Sequence, residues 1–172
     1  MVPAAPAEVS ASLGLVGDAA DVTRTTAGGT VLMGGDPDVD AAMGWMIGKA
    51  GGGDFVVPRA TGTAAYNAYV YGLGGINSCE TLLINSRTLA NDPQVEAKIR
   101  GAEAVFIAGG NQANYVNFWK DTKVEDALKY VCNVKQCPIG GTSAGNAIEG
   151  RCYFSALRVI SGLVSRCSCR DA

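Results

Sequence analysis

No histidine occurs anywhere in this chain of 172 residues. That removes the most common general base and the most common metal-ligating side chain. Charge is also scarce: Asp, Glu, Lys and Arg make up 17%, below the ~25% of an average globular domain. The net charge of −2 and pI near 5.1, with no basic run and no interleaving of aromatic and basic residues, argue against a nucleic-acid-binding surface. No stretch approaches the ~18 consecutive apolar residues of a membrane span, so no membrane partner is expected. Residues 1–27 carry Glu8, Asp18 and Asp21 against one base, Arg24. They therefore lack the basic start of a secretory signal and the arginines of a transit peptide. They read as a disordered or loosely attached N-terminal arm. The compartment stays open, with the cytoplasm favoured. Without a secretory signal, the six cysteines (Cys79, Cys132, Cys137, Cys152, Cys167, Cys169) do not imply a disulfide framework. Cys167 and Cys169 are too close together for a standard zinc half-site, and no histidine completes one. Buried or free thiols are expected, with no metal and no cofactor.

Glycine is abundant, with 23 residues, and 48% of the chain is hydrophobic. The length suits one domain with a real core. From Gly28 onward, short apolar runs alternate with amphipathic stretches. Strands are expected at Gly29–Met33, Asp54–Pro58, Thr81–Asn85, Ala104–Ala108 and Pro138–Ile139. Helices are expected over Asp36–Lys49, capped by Asp36, and over Ala64–Leu73. A further helix should start at Pro93, residues 112–132 should form one broken or two short helices, and Asn146–Phe154 should be helical. Leu157–Ile160 reads as the start of a strand, and residues 158–172 have no clear period. Repeated β-α alternation predicts a three-layer α/β/α fold around a mainly parallel sheet. Ligands bind such sheets at the carboxyl ends of the strands. The glycine pairs Gly34-Gly35, Gly109-Gly110 and Gly140-Gly141 are therefore expected to face one crevice.

The strongest chemical signal is Gly141-Thr142-Ser143-Ala144-Gly145. It fits the G-x-S-x-G nucleophile elbow, with an apolar strand before it and a helix after it. A serine hydroxyl is a weak nucleophile until a base takes its proton. Acyl transfer also needs backbone N–H groups aimed at the developing oxyanion. Ala144, next after the serine, is one natural donor, and Gly109 or Gly110 on a neighbouring strand is another. Gln112 is expected over the same crevice, either orienting substrate or starting the next helix. Arg59, after the strand at Phe55–Pro58, is a crevice cation or a solvated surface charge. Gly34-Gly35-Asp36 is not a dinucleotide fingerprint. A Ser-Lys pair is chemically conceivable, but Lys129 and Lys135 are expected at the opposite end of the strand.

Several motifs occurring in order carry a family resemblance. They are Gly34-Gly35, Val56-Val57-Pro58-Arg59-Ala60, Tyr66-Asn67-Ala68-Tyr69, Asn77-Ser78-Cys79-Glu80-Thr81-Leu82, Phe106-Ile107-Ala108-Gly109-Gly110-Asn111-Gln112 and Gly140-Gly141-Thr142-Ser143-Ala144-Gly145-Asn146-Ala147-Ile148. Over roughly residues 28–157 the chain resembles peptidase family S51, the cyanophycinases, which share the class I glutamine-amidotransferase-like fold. The resemblance implies a serine exopeptidase cutting β-linked Asp-Arg dipeptides from cyanophycin. By position, Ser143 resembles the nucleophile, Gln112 the substrate-contacting glutamine, and Gly109, Gly110 and Ala144 the oxyanion region. A β-aspartyl peptide is the implied partner, and a homo-oligomer stays open. A class I amidotransferase would carry cysteine at the elbow, so Ser143 speaks against that relative. In the family, the triad acid and histidine lie downstream of the nucleophile. Here the similarity fades after Tyr153-Phe154-Ser155-Ala156 and no histidine follows. The expectation is a C-terminally incomplete chain, its sheet lacking the last strands, with little or no hydrolysis. A non-catalytic binding module for acidic or β-aspartyl peptides is the rival reading.

Overall fold

The computed structural model describes residues 11–35, 37–157 and, in backbone only, 167–169. Six strands are assembled into one sheet: β1 (Ser12–Gly17), β2 (Gly29–Met33), β3 (Asp54–Arg59), β4 (Ser78–Leu83), β5 (Ala104–Ile107) and β6 (Pro138–Thr142). Their order across the sheet is β1-β4-β3-β5-β6-β2. All pairings are parallel except β1 against β4. The helices are α1 (Asp40–Lys49), α2 (Ala65–Gly72), α3 (Arg87–Ala90), α4 (Pro93–Gly101), α5 (Gln112–Trp119), α6 (Lys123–Asn133) and α7 (Ala144–Ala147).

Strand alternation divides the apolar residues between two cores. Phe55 and Val57 of β3 and Phe106 of β5 pack with Met43, Met46 and Ile47 of α1 and Val70 of α2. Val56 of β3, with Val105 and Ile107 of β5, faces the other way. These pack with Val95 and Ile99 of α4, Tyr115 and Trp119 of α5, and Val124, Leu128 and Val131 of α6. The central strands are buried on both faces, which is why they read as continuous apolar runs. The result is the three-layer α/β/α architecture with a mainly parallel sheet. Local chemistry sets the helix starts. Asp92 accepts a hydrogen bond from the Gln94 N–H at 2.8 Å, ahead of Pro93 at the first helical position. Asn111 does the same for Ala113 at 3.0 Å.

Three segments differ from the sequence reading. The arm expected over residues 1–27 contains β1, the antiparallel edge strand. The rest of its described part is clipped to the domain. The Asp54 carboxylate accepts from the Val22 N–H at 3.2 Å, and the Thr26 hydroxyl donates to the Gln136 carbonyl at 3.1 Å. Helix α1 starts at Asp40, not Asp36, with Val39 at its N-cap and no side-chain cap; Asp36 lies outside the described residues. The helix expected over Asn146–Phe154 stops after one turn, and Cys152–Phe154 form a strand, β7, antiparallel to β8 (Cys167–Cys169). A turn at Ile148 and Glu149 and a bend at Gly150 and Arg151 lead from the helix to the strand. Cys152 is disulfide-bonded, whereas Cys79, Cys132 and Cys137 are free. The strand expected at Leu157–Ile160 lies largely outside the described residues.

Candidate active site

The β6–α7 turn holds Ser143 at φ 52° and ψ −120°. This left-handed backbone is one that L-residues seldom adopt. Steric crowding on both sides of the serine enforces it. A Cβ at Gly145 would collide with the Ile107 carbonyl oxygen, and one at Gly141 would lie 2.7 Å from the Asn146 nitrogen. The two glycines let the helix turn back tightly over the ends of β5 and β6, and the serine side chain is left exposed at the apex. Thr142 fixes the turn from below: its hydroxyl donates to the Gly34 carbonyl at 2.6 Å. The Ser143 N–H donates to the Met33 carbonyl at 3.3 Å. The carboxyl end of β2 is thereby tied to the turn.

Two of the three glycine pairs converge on this serine. A Cβ on Gly35 would stand 3.3 Å from Ser143 Oγ, and one on Gly109 would stand 3.4 Å from Ser143 Cβ. Gly140-Gly141 does not sit at a strand end; it lies within β6, where a Cβ on Gly140 would come 2.9 Å from the Val31 side chain. Ala144 is buried directly after the serine, in the first turn of α7. Gly110 touches the next loop, 3.0 Å from the Thr61 hydroxyl at its Cβ position. Gln112 opens α5, and its side-chain amide donates to the Phe154 carbonyl of β7. It thus starts the helix and also reaches the segment after the serine turn.

Three features of the site were not singled out from sequence. One is Thr142, whose hydroxyl occupies a variable position of the motif. Another is Tyr115, which donates to the carbonyls of Ala108 at 2.6 Å and Gly109 at 3.2 Å and so holds the glycine loop. Burial raises its phenol to about 12, so it is a neutral donor. The third is the pair Tyr66–Asp38, joined by a 2.7 Å hydrogen bond. Burial and then that carboxylate push the Tyr66 phenol above its ordinary value. Helical spacing offered a signal for Tyr115 and Tyr66 only as core aromatics; their hydrogen bonds depend on the fold.

Neither lysine weighed as a base is near the serine turn. Lys135 Nζ lies at the amino end of β5, 3.0 Å from Glu103 and 2.8 Å from the Ala102 carbonyl. Lys129 pairs with Glu125 at 3.3 Å. Among the described residues no group of three His, Cys, Asp or Glu side chains could hold a metal ion. None of the described helices is long and apolar enough to cross a membrane.

A mainly parallel α/β sheet that presents a serine between two such glycines, on a strand–turn–helix elbow, defines an α/β protein of the hydrolase-like kind. The family model of peptidase family S51 matches residues 26–157, and the chain belongs to that family. It is 32% identical over 76 residues to a cyanophycinase from Nostoc sp., an alignment covering 44% of this chain and 26% of that protein. It is 26% identical over 82 residues to a cyanophycinase from Synechococcus elongatus, covering 48% of this chain and 26% of that protein. The alignments thus reach about a quarter of the length of the curated relatives. Among solved structures, a peptidase from an acI-B1 Actinobacterium superposes with a TM-score of 0.58 at 15% identity. That match covers 75% of this chain and 59% of the other and speaks to the fold alone.

Proposed function

We propose that this chain is a serine-type exopeptidase of the cyanophycinase kind, releasing β-linked Asp-Arg dipeptides from cyanophycin with Ser143 as nucleophile. The observation that carries this reading is the Ser143 turn itself, exposed and left-handed, with Gly35 and Gly109 packed against it. In the proposed reaction, Ser143 Oγ attacks the scissile carbonyl and its proton passes to a base. The Ala144 N–H and that of Gly109 or Gly110 stabilise the oxyanion, and Gln112 contacts substrate. The proton acceptor is the missing part. The sequence contains no histidine, and among the described residues no lysine approaches the serine. Loss of one triad member leaves only the catalysis supplied by the oxyanion hole and binding. We therefore expect the 172-residue chain to bind cyanophycin and to release β-aspartyl-arginine from it weakly or not at all.

The absence of histidine also favours the rival reading, a binding module for acidic or β-aspartyl peptides. Ser143→Ala separates the two. Residual release of β-aspartyl-arginine from cyanophycin that disappears in the variant, with binding kept, supports the enzyme. Binding with no turnover in either protein supports the module. Turnover unchanged by the substitution contradicts the assignment of Ser143.

A further inference from the structure

We infer that Arg59 forms a carboxylate-binding subsite of the crevice, and that it selects peptides bearing a free carboxylate beside the scissile bond. This rests on the peptidase reading above and adds a specificity-determining residue to it.

The first support is position. Strand β3 connects onward to β4 on one side of the sheet, while β5 connects to β6 on the other. The chain therefore reverses direction between β3 and β5, the place where open α/β sheets bind their ligands. Arg59 is the last residue of β3. In the loop that follows it, the Thr61 hydroxyl stands 3.0 Å from where a Cβ on Gly110 would lie, and a Cβ on the adjacent Gly109 would lie 3.4 Å from Ser143 Cβ. The Arg59 loop and the serine turn thus flank the same glycine pair.

The second support is the way the guanidinium is held. Its Nε donates to the Thr61 carbonyl at 2.5 Å and Nη1 to the Thr63 carbonyl at 2.8 Å. The guanidinium carbon stands 5.8 Å from the centre of the Tyr66 ring, at the outer edge of cation–π range. Gly62 has φ +113°, and a Cβ there would strike the guanidinium. The loop is therefore shaped around this group, which fixes its plane before any ligand arrives.

The third support is charge. Among the described residues, five ion pairs form, and none includes Arg59. The acid joined to its surroundings, Asp38, spends one oxygen on Tyr66. A guanidinium has five N–H donors in a fork that matches a carboxylate. The loop carbonyls take two of them. A role confined to stapling the loop accounts for those two bonds, but leaves at the ligand-binding end of the sheet a fixed cation that forms no ion pair among the described residues.

The test uses the whole 172-residue chain and a ligand series, so that its first arm needs no variant. Binding of β-aspartyl-arginine is compared, by calorimetry, with that of its two mono-amides, each lacking one of the two carboxylates. The subsite predicts that one amide binds about tenfold more weakly or worse. It further predicts that Arg59→Gln erases this preference, and that Arg59→Lys restores part of it. Circular dichroism and thermal melting of the variants show whether the loop staple alone has failed. Equal binding of all three ligands overturns the proposal. So does a preference that survives in Arg59→Gln, or no binding to the wild-type chain at 10 mM, a concentration well above the usual range for specific sites. Turnover that depends on Ser143 is read separately, so the subsite can fail while the peptidase reading stands.

Discussion

At Ser143 the backbone sits at φ 52° and ψ −120°, a conformation that costs an L-residue about 1–3 kcal/mol. Glycine adopts it without that penalty. Ser143→Gly is therefore expected to stabilise the chain by about 1 kcal/mol in urea unfolding, while Ser143→Ala is expected to change stability little. A Ser143→Gly variant no more stable than Ser143→Ala would mean that the turn is not strained. The strain has a positional consequence: it lifts the hydroxyl into the space between Gly35 and Gly109. Side chains longer than hydrogen at either glycine would crowd the serine. Thr142 and Tyr115 hold the two flanking loops through carbonyl hydrogen bonds.

At the level of elements, the amino end of the sheet is anchored by Asp54. Its carboxylate accepts from Ser78 Oγ at 2.5 Å, from Asn77 Nδ2 at 2.8 Å and from the Val22 N–H at 3.2 Å, and the residue is buried. Removing a buried, hydrogen-bonded carboxylate strands three donors. Asp54→Ala is expected to cost about 2–4 kcal/mol and to open the segment around Val22 to limited proteolysis; a stable variant with unchanged cleavage would contradict that. Strands β3 and β5 were legible in the sequence because strands covered on both faces are continuous apolar runs, and β2, an edge strand of alternating burial, because Val31-Leu32-Met33 lies between glycines. Strand β1 was not. Ser12–Gly17 is a glycine-broken edge segment whose pairing with β4 is long-range and antiparallel. Nor was β7, because Ala144, Ala147, Ile148 and Cys152 keep a helical spacing that the early stop of α7 overrides. The serine turn was legible since its five residues are contiguous. The Arg59, Tyr66 and Asp38 arrangement was not, since it joins the end of β3, the first turn of α2 and the segment before α1.

For the molecule as a whole, burial of proton-bearing groups sets an alkaline limit. Burial raises the Cys79 thiol from 9.0 to about 12, helped by Glu80, and the Tyr115 phenol from 10.0 to about 12. Both groups stay protonated in the fold at a pH where the unfolded chain has begun to release its protons. Their contribution is complete below pH 9 and is lost as pH rises from each unfolded value towards about 12, at up to ~1.4 kcal/mol per pH unit for each group. Urea midpoints are therefore expected to fall steadily above pH 9. Cys79→Ala should flatten part of the decline between pH 9 and 10, a window it shares with Cys137, whose thiol burial also raises; an unchanged slope would contradict this. The central claim concerns chemistry: we propose Ser143 as a peptidase nucleophile, in a sequence that has no histidine to activate it. Imidazole can stand in for an absent histidine side chain as a general base. The most direct measurement is release of β-aspartyl-arginine from cyanophycin with and without added imidazole, for wild type and Ser143→Ala. The account predicts little or no turnover alone, an imidazole-dependent rate in wild type, and none above background in the variant. Equal imidazole-dependent rates in the two proteins, or no rescue in wild type despite measurable binding, would contradict it.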